Sequence, residues 1–159
     1  AKDVTDAGLE IVLSASCVVD LFAGCGTFSL PLAKNALVHA VEGEETLLTT
    51  LEGGHRNACD LKPLSVETRD LFRRPLLAEE LNQFDAVVID PPRAGAKAQT
   101  AELAKSKVET IAFVSCNPIT FARDAAVLIA AGFQINWIQP VDQFRWSPHV
   151  ELVASFHRN

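Results

Sequence analysis

Two residues of this sequence are of types that do chemistry on a bound substrate, and each follows an apolar run. Asp90 follows the run Phe84–Ile89 and begins the segment DPPRAG, and Cys116 stands in VSCNP, just before Asn117 and Pro118. The two prolines after Asp90 remove backbone donors and fix the chain direction, so we expect a rigidly held carboxylate that positions a substrate. Pro118 is typical of a helix start, whose positive end favours a thiolate. Cys116 is therefore a candidate nucleophile.

Each of these residues also has an ordinary explanation. A free cysteine commonly fills a gap in the core. Arg93, within DPPRAG, can serve a phosphate, a base edge or only a local ion pair. A shared site is favoured because Asp90 and Cys116 both end predicted parallel strands, at the sheet edge where open α/β sheets bind ligands.

The last apolar segment, HVELVASF, contains an acid. Glu151 lies inside a predicted strand, where an ionised carboxylate is costly unless it is paired or neutral. We therefore expect a raised pKa, which makes Glu151 a candidate general base. His149 points to the same face of this strand and is a second candidate, although a structural histidine is the commoner outcome.

The stretch VVDLFAGCGTFSLPL, residues 18–32, predicts a buried strand, a tight turn and a helix that begins at Phe28 with Thr27 as its cap. Glycines let the backbone approach a ligand closely, and the N–H groups of a helix start attract a carboxylate or phosphate. Such a turn can also need glycine only for packing. The candidate cofactor-binding residues here are Asp20, Phe22, Gly24 and Gly26.

Two further acids follow the second and third predicted strands. Glu42 lies about twenty residues past the glycine-rich turn, where nucleotide-binding α/β domains place an acid on the ribose hydroxyls of an adenosine cofactor. A solvated loop acid is the alternative. Asp70 lies where a side chain can meet the adenine, and a cap for the turn from Leu71 onward explains it equally well.

The elements that must position these residues alternate along the chain. Strands are predicted at 18–20, 37–42, 65–68, 84–89, 108–115, 133–141 and 149–156. Helices are predicted at 6–14, 28–35, 44–58, 75–82, 95–105 and 119–131, the third interrupted by Gly53 and Gly54. This order predicts an α/β fold, a mostly parallel doubly wound sheet in which the last strand is an antiparallel partner beside the fifth.

Composition predicts one globular domain with a sizeable core, since the chain has 159 residues, 48% hydrophobic and 21% charged. The net charge of −6 argues against binding nucleic acid by bulk electrostatics alone.

Without a long apolar run or signal peptide, we expect a cytoplasmic protein with no membrane contact. The absence of methionine, even at position 1, suggests a piece of a longer protein. No CxxC pair occurs, so we expect no metal, and we assign packing roles to Cys17, Cys25 and Cys59.

Together, DLFAGCGTFSLPLA, VEG, DPPRAG, SCNPITFARD and HVELV resemble the catalytic domain of the RNA uracil-5-methyltransferases, which make 5-methyluridine in transfer and ribosomal RNA. The resemblance extends from about Cys17 to the end of the chain. It implies a Rossmann-like fold, S-adenosyl-L-methionine as cofactor, and RNA as partner, gripped mainly by domains that this chain lacks. A Phe-x-Gln-x-Asn segment of the family is also missing, and Arg145 and Trp146 replace its usual Pro and His.

By this resemblance, Asp20, Gly24 and Gly26 shape the methionine end of the cofactor pocket, Glu42 takes the ribose, and Asp70 lies near the adenine. For the reaction, the resemblance implies that Cys116 adds to uracil C6, Glu151 removes the C5 proton and Asp90 hydrogen-bonds the flipped uracil. Two alternatives remain at this point. The chain is a methyltransferase of another acceptor, an amine or a small molecule, or it is a cofactor-binding fragment that is inactive alone.

Overall fold

The computed structural model describes residues 4–141 and 150–158, which form seven strands and six helices. The strands are β1 (Cys17–Leu21), β2 (Leu37–Glu42), β3 (Leu64–Thr68), β4 (Ala86–Ile89), β5 (Thr110–Ser115), β6 (Gln134–Val141) and β7 (Glu151–His157). The helices are α1 (Val4–Ile11), α2 (Ser29–Leu32), α3 (Glu45–Asn57), α4 (Ala78–Leu81), α5 (Lys97–Lys105) and α6 (Pro118–Ala130).

The strands form one sheet in the order β3-β2-β1-β4-β5-β7-β6. The first five strands of the chain pair in parallel, and β7 runs antiparallel to both β5 and β6. The predicted fold class is therefore confirmed, including the antiparallel strand beside the fifth. Because the five parallel strands share one direction, their carboxyl ends meet along one edge of the sheet.

Successive residues of a strand point to opposite faces of the sheet, so they pack into different layers of the core. Val19 and Leu21 pack in the layer that contains α4, α5 and α6, whereas Val18 packs in the layer that contains α1 and α2. Strands covered on both faces read as continuous apolar runs, which is why β1, β4 and β5 were recognisable in the sequence. Asp20 shares the face of Val18 and so points toward α2.

Two predicted helices are shorter in the structure. The segment 28–35 is helical only at Ser29–Leu32; its capping position is Phe28 rather than Thr27, and no side chain caps it. The segment 75–82 is helical only at Ala78–Leu81: the Pro75 carbonyl accepts from Arg69 Nη2 at 2.9 Å and the Leu76 carbonyl accepts from Gln99 Nε2 at 3.0 Å, so both are bound by side chains in place of a helical N–H. By contrast, α3 continues through Gly53 and Gly54, so the expected interruption is absent.

In the part of the chain that the structure describes, none of the helices has the length and apolar character needed to span a bilayer. A cytoplasmic location remains a prediction.

Gly26→Ala should destabilise the fold, and Gly53→Ala should not. Gly26 has a φ of +98°, and an added Cβ there would lie 2.3 Å from Cδ1 of the buried Leu51. Left-handed strain and overpacking together predict a loss of about 2–4 kcal/mol in the free energy of unfolding, measured by urea denaturation. An added Cβ at Gly53, inside α3, meets nothing within 4 Å. That variant should gain up to about 1 kcal/mol from helix propensity. Equal stability of the two variants would contradict the packing assigned to Gly26.

Candidate active site

A cavity of about 630 Å³ opens at the carboxyl edge of the sheet and brings together residues from both halves of the chain. Its walls include six of the residues that the sequence singled out: Phe22, Glu42, Asp70, Asp90, Cys116 and Glu151. A smaller cavity of about 390 Å³, lined by Cys17, His39 and Phe84 among others, lies at the opposite edge of the sheet and contains none of them. The carboxyl-edge cavity is therefore the candidate site.

Glu151 reaches this edge because β7 is antiparallel. It is the first residue of β7, partly buried, and not an interior strand residue as the sequence predicted. β5 ends at Ser115, which pairs with Leu152, so Cys116 and Glu151 each lie one residue beyond this last pair, and both line the cavity. One strand pairing thus brings the candidate nucleophile and the candidate base to the same edge of the sheet.

The loop after Asp90 is fastened to the loop after Cys116 by side-chain hydrogen bonds. Asn117 Nδ2 donates to the Arg93 carbonyl at 2.9 Å, and Thr120 Oγ1 donates to the same carbonyl at 3.2 Å. Asn117 also caps α6, since its Oδ1 accepts from the Ile119 N–H at 3.1 Å. The Asn in SCNP therefore holds two site segments together.

A buried carboxylate reinforces this contact further along α6. Asp124, which is only 1% exposed, accepts the Ala96 N–H at 2.7 Å and pairs with the Arg123 guanidinium, whose Nη2 donates to the Ala94 carbonyl at 3.1 Å. Gly95 lies between these contacts with a φ of +75°, and an added Cβ would be 2.5 Å from Arg123 Nη2. Sequence alone predicts a local charge pair or contacts with the preceding loop for Arg123 and Asp124; the structure shows the charge pair and, in addition, contacts with the loop after β4.

Asp20 lies beneath the glycine-rich turn and is completely buried. Its Oδ2 accepts from Ser29 Oγ at 2.5 Å, and its Oδ1 is the buried side-chain oxygen that lacks a hydrogen-bond partner among the described residues. Burial raises the pKa of Asp20 to about 7, the Ser29 hydrogen bond opposes that rise, and the Asp90 carboxylate adds to it. An unsatisfied buried oxygen marks a place where a ligand donor can bind.

Glu42 and the turn after β1 hold each other in place. One carboxylate oxygen of Glu42 accepts the Gly24 N–H at 3.0 Å, and the other accepts the N–H groups of Gly43 (2.7 Å) and Glu44 (3.1 Å). Gly24 has a φ of +56° and meets nothing within 4 Å of its Cβ position, so the backbone there is open to a close ligand. Phe22 also has a positive φ, +62°, a conformation that is uncommon for a bulky residue and concentrates at functional sites.

Two carboxyl groups of the site repel each other. Burial, with the nearby Glu151 charge, raises the pKa of Asp90 to about 6, and burial raises the pKa of Glu151 as well. The expected upward direction for Glu151 is therefore found. Two acids in one cavity with raised pKa values are typical of sites that move protons.

The remaining candidates differ in placement. Asp70 lines the cavity and also caps the turn after it, since its Oδ1 accepts the Phe72 N–H at 3.0 Å; its contact with an adenine stays a prediction. Arg93 is exposed and is not among the cavity-lining residues; its role in substrate binding stays a prediction. The predictions for Arg145, Trp146 and His149 lie outside the described residues. Within residues 4–141 and 150–158, no cluster of three or more metal-ligating side chains is found.

Comparison with known proteins identifies the family of this chain. Residues 58–158, which include Asp90, Cys116 and Glu151, match the family model described as tRNA (uracil-5-)-methyltransferase. The chain belongs to this family. The resemblance indicated by the motifs is therefore confirmed.

Curated relatives extend the match over the whole chain. An uncharacterized RNA methyltransferase of Rhizobium meliloti is 54% identical over 99% of this chain, and one of Caulobacter vibrioides is 56% identical over 99%. The 23S rRNA (uracil(1939)-C(5))-methyltransferase RlmD of Acinetobacter baylyi is 40% identical over 89%. The chain covers only 39%, 38% and 31% of the lengths of these three relatives.

Solved structures show the same fold. The Pyrococcus abyssi tRNA (uracil-54, C5)-methyltransferase, solved with S-adenosyl-L-homocysteine, superposes with a TM-score of 0.74 at 32% identity over 89% of this chain and 34% of its own. The magnesium protoporphyrin IX methyltransferase of Synechocystis, at 18% identity and a TM-score of 0.71 over 97% of this chain and 77% of its own, shares the fold.

Asp20→Asn should change how stability depends on pH. In the folded chain the Asp20 pKa is about 7, so this group retains a proton that the unfolded chain releases near pH 4. The wild-type free energy of unfolding should therefore fall, relative to the variant, as pH rises from about 4 to about 7, by at most about 1.4 kcal/mol per pH unit. Urea denaturation across this range measures the difference. Glu52→Gln, at an exposed position on α3, controls for the lost charge; parallel curves for wild type and Asp20→Asn would refute the burial effect.

Proposed function

We propose that this chain is the catalytic domain of an S-adenosyl-L-methionine-dependent enzyme that methylates C5 of a uridine in RNA. The observation that carries the proposal is that Cys116, Asp90 and Glu151 share one cavity with Glu42 and Asp70. Methylation of an amine requires no thiol nucleophile, whereas C5 of uracil requires one because the ring is too electron-poor to attack a methyl donor directly. Membership of the family supports the same acceptor.

The residues of the glycine-rich turn fit the proposed cofactor. The open space at Gly24 admits a ligand against the backbone. Asp20 Oδ1 has no hydrogen-bond donor among the described residues, and an ammonium group of the ligand can supply one. Glu42 and Asp70 lie on the wall of the same cavity, where an adenosine can meet them. When bound, the cofactor supplies a methyl electrophile on a sulfonium centre.

Cys116 begins the reaction in this proposal. Its thiolate sulfur bonds to C6 of the uracil, and the electron pair of the C5–C6 double bond moves toward C5 and O4. C5 is then nucleophilic enough to accept the methyl group. The hydrogen bonds of Asn117 and Thr120 to the Arg93 carbonyl hold the Cys116 and Asp90 loops in one arrangement for this step.

Glu151 ends the reaction. Its carboxylate takes the proton from the methylated C5. The electron pair of that C5–H bond restores the C5–C6 double bond, and the bond between sulfur and C6 breaks to release the Cys116 thiolate. The raised pKa of Glu151 suits this role, because a carboxylate with a higher pKa accepts a proton more readily. Asp90, at the rigid end of β4, hydrogen-bonds the uracil ring, and its pKa of about 6 leaves only a minor fraction of it protonated at neutral pH.

RNA reaches this cavity only as an unstacked base, because C5 of a stacked uridine is inaccessible. A chain of net charge −6 has little general attraction for RNA. We therefore assign most of the RNA affinity to segments outside this chain, which covers between 31% and 39% of the relatives named above.

Cys116→Ala should abolish both methyl transfer and covalent capture of RNA. Fluorine at C5 cannot be removed as a proton, so 5-fluorouridine-substituted transfer or ribosomal RNA should trap the wild-type enzyme as a covalent adduct in the presence of the cofactor. The assay uses the full-length protein that carries this chain and reads the adduct on a denaturing gel. Cofactor affinity by calorimetry should be unchanged in the variant.

Cys59→Ala is the matched control, because Cys59 is exposed and does not line the cavity. It should form the adduct like wild type. An adduct that persists in Cys116→Ala would reject the assignment of the nucleophile. No wild-type adduct on either RNA, with normal cofactor binding, would indicate a methyltransferase with another acceptor.

Glu151→Gln should accumulate the covalent adduct on ordinary, unfluorinated RNA. An amide cannot take the C5 proton, so methylated RNA remains bonded to Cys116 and turnover falls by about a hundredfold or more, the typical contribution of a general base. The measurement is the fraction of protein shifted on a denaturing gel, with the double variant Cys116→Ala, Glu151→Gln as control. Normal turnover without adduct would remove Glu151 from the role of base.

A further inference from the structure

We propose that a groove beside the candidate active site binds the RNA strand next to the target uridine, with a neighbouring base stacked on Phe72 and phosphates held by basic residues around it. This inference rests on the proposed function, since it assumes that RNA is the substrate. It adds a binding surface within this chain to the grip expected from segments outside it.

The groove is continuous with the candidate site. It has a volume of about 470 Å³, and Phe72 lines both this groove and the active-site cavity. Its other walls are small or aliphatic except for one lysine: they include Ala94, Lys97, Ala98, Ala101 and Val127. A flat apolar floor next to a cavity that accepts a flipped base suits the base beside it in the strand.

Phe72 is exposed yet held in place. The residue is 49% exposed, and its ring lies 5.4 Å from the Phe22 ring, centroid to centroid. Its backbone N–H donates to Asp70 Oδ1 at 3.0 Å, which fixes the turn that carries it. An aromatic ring that is exposed but already ordered loses little entropy when a base stacks on it, which favours stacking.

Basic residues lie in the groove wall or close to Phe72 in the chain, although the chain as a whole is acidic. Lys97 lines the groove, Arg73 and Arg74 directly follow Phe72, and Arg93 lies in the segment that leads from β4 into α5; all four are exposed, and Arg73 pairs with Asp70 at 3.6 Å. In a chain of net charge −6, an exposed aromatic ring beside a groove that presents a lysine has the chemistry of a single-stranded nucleic-acid surface. An apolar peptide would use the groove floor but would gain nothing from these four cations.

The first test fills the groove without touching the active-site cavity. Ala98 lines the groove on α5 and is absent from the cavity wall. In the full-length protein that carries this chain, Ala98→Leu should raise KM for RNA by about tenfold, the worth of one stacked base, and leave cofactor affinity unchanged. Ala104→Leu, the same change on the same helix outside the groove lining, should behave like wild type. Phe72→Leu should raise KM for RNA by a similar factor, and Phe72→Tyr should retain RNA affinity.

The second test measures the phosphate contact. Lys97→Gln should reduce the slope of log affinity against log salt concentration by about 0.7, the value for one lost contact on a single strand. Lys107→Gln controls for the charge, because Lys107 is exposed just before β5, at the opposite edge of the sheet. Binding is followed by fluorescence anisotropy on whichever 5-fluorouridine-substituted RNA, transfer or ribosomal, traps the wild type.

Three results would overturn the inference. RNA affinity and salt slope unchanged in Ala98→Leu and Lys97→Gln, while the wild type still forms its adduct, would reject the groove and leave the proposed function intact. A weaker cofactor affinity in Ala98→Leu with normal RNA KM would assign the groove to the cofactor. A lower melting temperature in Ala98→Leu than in Ala104→Leu, without loss of RNA affinity, would indicate that another part of the same protein occupies it.

Discussion

The buried carboxylate of Asp124 joins the two loops on which the candidate site depends. It accepts the Ala96 N–H and pairs with Arg123, which in turn binds the Ala94 carbonyl. A buried charge is costly unless every lone pair is used, so this arrangement is stable only with both loops in position. The pairing of β4 with β5 brings Asp90 and Cys116 to the same edge of the sheet, and the Asp124 and Arg123 contacts then hold the loop after β4 against α6.

Carboxylates collected at one edge of the sheet repel one another. Burial raises the pKa values of Asp20, Asp90 and Glu151; the Asp90 charge raises the pKa of Asp20 further, and the Glu151 charge raises that of Asp90. Such a group of acids reduces folded-state stability at neutral pH, which is typical of functional sites that sacrifice stability for chemistry. A ligand that carries positive charge relieves this repulsion, so the proposed sulfonium cofactor and the acidic site complement each other.

The ends of buried strands were predictable from sequence because apolar runs on a doubly covered sheet are continuous and stop abruptly at a polar residue. That pattern located Asp20, Glu42, Asp90 and Cys116, and the cavity includes three of these four on its wall. Contacts between distant side chains leave no such local signal. Side-chain hydrogen bonds to the Pro75 and Leu76 carbonyls shortened a predicted helix, and the contact of Asp124 with the loop after β4 was not foreseen for the same reason. The positive φ of Phe22 likewise could not be predicted, because sequence indicates a positive φ at glycine and not at a phenylalanine.

Glu151 illustrates how strand direction determines which residue can act. In a parallel strand the carboxyl end reaches the ligand edge, but in an antiparallel strand the first residue does. The expectation that Glu151 lies inside an apolar strand correctly identified an unusual acid and misplaced it, since β7 begins at Glu151. The pairing of Leu152 with Ser115 then brings Glu151 to the same cavity as Cys116. A shift of one residue in that register would exchange the core layers into which Val153 and Phe156 pack on the two faces of the sheet, so the fit of these side chains keeps Glu151 at the cavity.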